Sequence, residues 1–196
     1  MLNSRKLTTS AGIFTLTCLH LAGMPLVVVT GFPCSGKTRR AQELADYLRS
    51  VGWVVHMHNN ESLGIDRNQA YANSQAEKVS RGALKTAVER VISKTEILIA
   101  DDLNYIKGYR YELHCIARAS GTTMCTLHCE ATQDQIVQFN AATNPQPYEE
   151  RHIRELPMRY ERPNDRNRWE RPLFVVRPED GNHDAVFAIF VAAPVH

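Results

Sequence analysis

The sequence predicts an α/β fold in which a parallel sheet of about five strands carries helices on both faces. Apolar runs alternate with segments of helical periodicity along the chain, which is typical of strand–helix–strand units. The run Leu26–Thr30 is apolar up to its last residue, as expected for a strand buried on both faces. Its 196 residues, 43% of them hydrophobic, suit one such domain.

The same alternation predicts the order of the remaining elements. Further strands are expected at Trp53–His58, Glu96–Ala100, Thr122–Cys129 and Leu173–Arg177. Helices are expected at Thr38–Ser50, Ser74–Ile92, Ile106–Ser120, Thr132–Ala142 and Tyr148–Leu156. The inward face is predicted as Ala41, Leu44, Ala45 and Leu48 in the first helix and as Val79, Ala83, Ala87 and Val91 in the second. Ser74 and Glu77 are interpreted as a capping box, and residues 59–73 as a loop.

The turn after the first strand has the spacing GxxxxGKT, from Gly31 to Thr38. This pattern between a buried strand and an amphipathic helix is the signature of a phosphate-binding loop, and it makes the fold a kinase-type P-loop NTPase. Glycine lets the backbone wrap around phosphate oxygens, Lys37 reaches the β- and γ-phosphates, and the Thr38 hydroxyl ligates Mg²⁺. The cofactors are therefore ATP, with GTP as the alternative, and Mg²⁺. The predicted nucleotide-binding residues of this segment are Gly31, Pro33, Cys34, Ser35, Gly36, Lys37, Thr38 and Arg39.

Two acidic residues follow the strand Glu96–Ala100 and complete the predicted catalytic set with Lys37. Asp101 is the candidate for the magnesium site, together with Thr38. For Asp102 two interpretations stay open: it orients a water or acts as a base, or it caps the next helix.

Composition and charge bear on three further properties: nucleic-acid binding, the state of the cysteines and membrane spanning. The net charge of +2 does not by itself indicate a nucleic-acid partner. An odd count of five cysteines without a CxxC pair favours reduced thiols, and Cys125 and Cys129 are expected in the core rather than in a metal site. The apolar run in residues 11–23 is too short and polar to span a bilayer.

The domain boundaries are expected at 24–177 for the nucleotide-binding domain, with an N-terminal extension at 1–23 and a tail at 178–196. Residues 1–23 contain no acidic residue and precede a segment, Met24–Val29, that looks like a fresh start. Met24 is therefore interpreted as the usual first residue. The extension is expected to be poorly ordered, and a targeting role for it is the minority alternative.

Two blocks carry a more specific resemblance, Asp101–Glu112 (DDLNYIKGYRYE) and Arg159–Phe174 (RYERPNDRNRWERPLF). With Met24–Val27 they resemble the killer-toxin-insensitivity family of Elongator-associated P-loop proteins, a chromatin-linked family similar to phosphoseryl-tRNA kinase. The resemblance covers roughly residues 24–176. It implies an ATPase that works with the Elongator complex in modifying wobble uridines of tRNA, with linked effects on transcription and a cytoplasmic and nuclear location.

The resemblance also concerns single residues. Arg168, flanked by Asn167 and Trp169 in a matched block, is expected near the adenine or the phosphates. Lys107 and Arg110 are candidates for contact with substrate or the γ-phosphate.

Three tyrosines lie among these basic residues: Tyr105, Tyr109 and Tyr111. They are expected to pack against the sheet, with stacking on RNA bases as the alternative.

The chain departs from the family pattern in two ways. Nothing after Pro178 resembles the family's C-terminal helical domain, so this looks like a short form in which tRNA binding is weakened or absent. The segment Gln138–Thr143, where a lid is expected, contains no arginine. Two alternatives to the ATPase therefore stay open: a kinase that phosphorylates an aminoacyl-tRNA or a small molecule, and a non-catalytic regulator that binds ATP and Elongator.

Overall fold

The computed structural model describes residues 26–142 and 147–180. The expectations about the extension 1–23 and about nearly all of the tail lie outside these residues.

Five strands form one parallel sheet, in the spatial order β2-β3-β1-β4-β5. Their bounds are β1 Leu26–Gly31, β2 Val55–Asn59, β3 Ile97–Asp101, β4 Met124–Cys129 and β5 Leu173–Val176. This confirms the predicted fold class and the five predicted strands, with differences of up to two residues at their ends. β1 lies between β3 and β4, so the connections leaving β1 and β3 cross the sheet in opposite directions. Ligands of such sheets bind at the carboxyl ends of the strands beside this point.

Six helices and one 3-10 turn complete the described fold. Their bounds are α1 Lys37–Ser50, α2 Arg67–Ala70, α3 Ser74–Val91, α4 Lys107–Ala119, α5 Gln133–Ala142, α6 Glu150–Met158 and the turn Arg168–Glu170. The prediction of a plain loop over 59–73 misses α2, which is only one turn long and has no hydrophobic period to reveal it.

Helices cover both faces of the sheet, as predicted. Val27 and Val29 of β1 pack with α1 on one face, while Leu26 and Val28 pack with α3 and α4 on the other. The predicted inward face of α1 is confirmed in full, since its four members are at most 2% exposed. Alternate residues of one fully buried strand thus serve two separate cores.

The prediction for α3 is partly wrong. Val79 is 61% exposed, whereas Leu84 and Val88 are fully buried beside the correctly predicted Ala87. The buried stripe of α3 also contains Glu77 and Ser80, whose polar side chains have partners inside the protein. A prediction from hydrophobic residues alone therefore places the buried face of α3 beside its actual position.

The predicted capping box at the start of α3 is also wrong. Asn73 is the N-cap, and its side chain accepts a hydrogen bond from the Ala76 N–H at 2.9 Å. The Glu77 carboxylate is turned inward instead, where it accepts hydrogen bonds from Arg159 and the Tyr105 hydroxyl.

Candidate functional site

The loop between β1 and α1 is shaped by close backbone approach. A Cβ atom on Gly31 would lie 2.5 Å from the Cys129 carbonyl oxygen and 2.6 Å from Ser35 Oγ, so only glycine fits. Gly36 has a φ of +84° and Cys34 a φ of +56°, both in the left-handed region. These conformations curl the chain into a cradle of the kind that binds an anion through its N–H groups.

Helix α1 begins inside this cradle. Its N-cap is Gly36, which has no side chain to bond the first N–H groups, and Arg40 N donates to the Gly36 carbonyl at 3.0 Å. The N–H groups ahead of Arg40 lack an acceptor within the helix, and together with the helix dipole they favour a phosphate.

Lys37 lies within the loop with only 8% of its surface exposed. Its ammonium donates to the Phe32 carbonyl oxygen at 2.6 Å. Burial lowers the pKa of Lys37, and the carboxylates of Asp101 and Asp102 oppose that shift. A phosphate beside the ammonium would supply the close negative charge that this buried cation needs.

Asp101 ends β3 with both carboxylate oxygens buried, and neither has a hydrogen-bond partner among the described residues. Burial raises the pKa of Asp101, although the Thr38 hydroxyl and the Lys37 ammonium lie close enough to oppose the shift. A buried carboxylate without a donor, next to a hydroxyl, is a set of oxygen ligands that fits Mg²⁺. The predicted metal residues Asp101 and Thr38 are therefore brought together.

One carboxylate oxygen of Asp102 is held by hydrogen bonds, and the other has no hydrogen-bond donor among the described residues. Its Oδ1 accepts from the Tyr71 hydroxyl at 2.6 Å, from Leu103 N at 2.7 Å and from Asn60 Nδ2 at 3.2 Å. Burial raises the pKa of Asp102, and the bond from Tyr71 opposes this most strongly. The helix-cap interpretation is wrong, because α4 begins only at Lys107 with Ile106 as its N-cap. The second carboxylate oxygen of Asp102, Oδ2, accepts no hydrogen bond within the described part of the chain.

A cavity of about 580 Å³ opens between the loop and the carboxyl ends of β2 and β3, within the size range of small-ligand sites. Most of the predicted site residues line it: Cys34, Ser35, Gly36, Lys37, Thr38, Arg39, Asp101 and Asp102. Gly31 and Pro33 are buried in the loop without lining the cavity.

Two arginines from the matched blocks are not brought to this cavity. Arg168 is exposed in the 3-10 turn before β5, whereas the cavity adjoins Pro178 after that strand. Arg110 is fully buried and donates to Glu170 Oε1 at 2.8 and 3.0 Å, so the prediction of a phosphate contact is wrong for it.

The three tyrosines that alternate with basic residues divide in the structure. Tyr105 and Tyr109 are each 5% exposed, which confirms packing for both. Tyr111 is 48% exposed and meets the Trp169 ring edge to face.

Sequence reasoning missed several residues that line the cavity, above all Asn59, Asn60, Arg67 and Tyr148. Asn59 is the last residue of β2, so the edge rule that identified Asp101 would also have identified it. The other three come from loops and short helices that have no local signature.

The expected lid segment adjoins the phosphate loop. Asn140 Oδ1 accepts from Cys34 Sγ at 3.3 Å and from Tyr148 N at 2.8 Å, so α5 links the loop to the segment before α6. Phe139 lines the cavity from the same helix.

Among the described residues, no three or more His, Cys, Asp and Glu side chains form a group that could hold a metal ion by themselves. Cys125 and Cys129 are 3% and 1% exposed, which confirms their core position. Within the same residues, no helix is long and apolar enough to cross a membrane.

Comparison with known proteins decides the family. The family model described as "Chromatin associated protein KTI12" matches residues 24–192. The chain belongs to the KTI12 family. This confirms the resemblance drawn from the two sequence blocks.

Curated relatives agree with this assignment. The KTI12-family chain is 45% identical to a protein KTI12 homolog of Danio rerio over 80% of this chain and 58% of the relative. It is 41% identical to protein KTI12 of Saccharomyces cerevisiae over 83% of this chain and 55% of the relative. The chain thus spans a little over half the length of these relatives.

Among solved structures, the KTI12-family chain resembles Chaetomium thermophilum Kti12, which was crystallised in complex with ADP-AlF3. The TM-score is 0.79 at 36% identity, covering 88% of this chain and all of the other. An APS kinase of Mycobacterium tuberculosis matches with a TM-score of 0.60 at 16% identity over 88% of this chain and 99% of that one, which shows a shared P-loop kinase fold alone.

Proposed function

We propose that this chain binds ATP with Mg²⁺ and hydrolyses it. The observation that carries the proposal is the state of three charged groups around one cavity, Lys37, Asp101 and Asp102. Burial shifts the pKa of each toward its uncharged form. A triphosphate and a divalent cation placed between them would supply the missing counter-charges. The solved KTI12 relative, crystallised in complex with ADP-AlF3, supports nucleotide binding.

The described residues divide the work by position. Lys37 and the N–H groups of the loop bind the β- and γ-phosphates, and Asp101 with Thr38 provides oxygen ligands for the metal. Bound magnesium would neutralise charge that develops on the phosphates. Asp102 has a fixed Oδ1, so its Oδ2 is oriented and can accept a hydrogen bond from an attacking water. Catalysis in this site is mainly positioning and charge stabilisation.

We further propose that the hydrolysis serves the Elongator complex in the modification of wobble uridines in tRNA, with linked effects on transcription, in the cytoplasm and nucleus. Membership of the KTI12 family supports this role. The role in the whole protein stays a proposal, because this chain spans only 55% to 58% of the curated relatives considered above.

The test is ATP turnover by the parent chain, Lys37→Ala and Lys78→Ala, with Mg²⁺ and with EDTA. Lys78 is an exposed lysine of α3 and serves as the matched control. We expect Mg²⁺-dependent turnover that Lys37→Ala lowers by at least about 100-fold, while Lys78→Ala retains it. Equal rates for the parent and Lys37→Ala would discard the site. Tight ATP binding without turnover, even with tRNA, would favour the non-catalytic regulator.

A kinase remains the second candidate, because the free Oδ2 of Asp102 can orient a substrate hydroxyl as well as a water. With γ-labelled ATP and seryl-tRNA, label on the tRNA would support the kinase. Release of label only as inorganic phosphate supports the ATPase.

A further inference from the structure

Four basic side chains line the cavity, Lys37, Arg39, Arg40 and Arg67. Arg39 and Arg40 both pair with Glu43, at 2.9 Å each. Lys37 donates to a carbonyl of the phosphate loop. Arg67 has no carboxylate within 4.0 Å in residues 26–142 and 147–180. Of the three arginines that line the cavity, it is therefore the one without a carboxylate partner among the described residues.

The guanidinium of Arg67 is positioned without using its donors. It lies over the ring of Tyr148, 5.3 Å from the ring centroid. This contact is made to the ring, and no hydrogen bond from the Arg67 guanidinium is found within residues 26–142 and 147–180. The helix that carries it is anchored by its N-cap Asp66, whose carboxylate accepts from Asn68 N and Gln69 N at 2.9 Å.

Arg67 also lies on the reacting side of the cavity. Its guanidinium lies over the ring of Tyr148, and the centroid of that ring is 6.4 Å from the centroid of the Tyr71 ring. The Tyr71 hydroxyl is 2.6 Å from the Oδ1 of Asp102. The opposite end of the cavity adjoins Pro178, beyond β5 at the other edge of the sheet.

This arrangement would orient a bound nucleotide. Asp101, Thr38 and Asp102 lie on the β3 side of the cavity, so the phosphates that share a metal with Asp101 and Thr38 would lie on that side. A bound nucleotide would therefore point its terminal phosphate toward β3 and β2 and its nucleoside toward Pro178. Arg67 comes from the segment after β2, so it lines the part of the cavity where the terminal phosphate of a bound nucleotide would lie.

We propose, on the basis of the proposed ATP hydrolysis, that Arg67 donates hydrogen bonds to the terminal phosphoryl group during its transfer. In that step the bond from the γ-phosphorus to the bridging oxygen breaks and its electron pair stays with ADP. The oxygen of the attacking water bonds to phosphorus, and its proton passes through Asp102 to solvent. Arg67 stabilises the charge on the equatorial oxygens and so does the work of the arginine that the lid segment lacks.

The experiment compares the parent chain with Arg67→Met, Arg67→Lys and a control, Arg90→Met, an exposed arginine at the end of α3. We measure kcat and KM for MgATP, and the Kd of MgADP with and without aluminium fluoride. We expect Arg67→Met to lower kcat by about 100- to 1000-fold. Its Kd for MgADP should stay within about threefold of the parent value, and Arg67→Lys should recover part of the rate.

The binding arm separates this proposal from the ATPase proposal. Aluminium fluoride should tighten MgADP binding in the parent chain and in Arg90→Met but not in Arg67→Met. If the parent hydrolyses ATP and Arg67→Met is equally fast, the role of Arg67 is refuted while the ATPase stands. If the parent does not hydrolyse ATP, equal tightening by aluminium fluoride in parent and Arg67→Met refutes the role. A parallel loss of MgADP binding and thermal stability in Arg67→Met would also refute it.

Discussion

Replacing Arg110 by Met should show that this arginine is structural. Arg110 and Glu170 are both 0% exposed and form an ion pair at 2.8 Å. Arg110 also donates to the Asn104 carbonyl at 2.9 Å, and the second oxygen of Glu170 accepts from Asn164 N and Asn167 Nδ2. Removing the guanidinium leaves a buried carboxylate without its cation, which destabilises a protein by about 3–5 kcal/mol.

The assay is urea unfolding of the parent chain, Arg110→Met and Arg118→Met, an exposed arginine on the same helix. We expect the control to stay within about 0.5 kcal/mol of the parent. A loss of 3–5 kcal/mol corresponds to a fall in Tm of roughly 6–20 °C for a domain of this size. The double variant with Glu170→Met should lose less than Arg110→Met alone, because the orphaned charge is gone.

Two results would refute this reasoning. One is an Arg110→Met protein as stable as Arg118→Met, and the other is a double variant whose loss is the sum of the single losses. Arg110→Met should also bind MgADP within a few fold of the parent at temperatures where it is folded. Selective loss of that binding would restore the phosphate-contact interpretation.

Two further predictions concern the loop and its surroundings. Gly31→Ala should lose about 1–3 kcal/mol and weaken MgADP binding, because its Cβ would meet the Cys129 carbonyl at 2.5 Å. Gly82→Ala, in α3 with open space around it, should raise the free energy of unfolding by about 0.5–1 kcal/mol. If urea unfolding showed that both variants are stabilised or both destabilised, the steric account would be contradicted. His128 is buried against Tyr160, and burial lowers its pKa to about 4 from an ordinary 6.5. As the pH falls, His128 is protonated at a higher pH in the unfolded chain than in the folded chain. The free energy of unfolding should therefore fall by about 3 kcal/mol as the pH drops from 6.5 to 4. His128→Asn should remove that part of the pH slope in unfolding titrations, and an unchanged slope would show that His128 does not titrate there.

The elements that the sequence predicted well are those with a strong local period. β1 and α1 follow from a continuous apolar run and from four residues at helical spacing. Prediction failed where a polar side chain occupies an inward position, as Glu77 does in α3, because its partner Arg159 lies 82 residues away. Hydrophobic patterns carry no information about such pairs.

For the site, the sequence alone determined the phosphate loop and the two aspartates. Their geometry depends on neighbouring residues, on glycine conformations and on the rule that parallel strands end at one edge. Only the tertiary structure decided which oxygen of Asp102 is fixed, since its partner Tyr71 is 31 residues distant. It also assigned Arg110 to a buried pair with Glu170, 60 residues away, and brought Arg67 to the cavity. The physical reason is that charges and hydrogen bonds act through space, and folding decides which distant residues become neighbours.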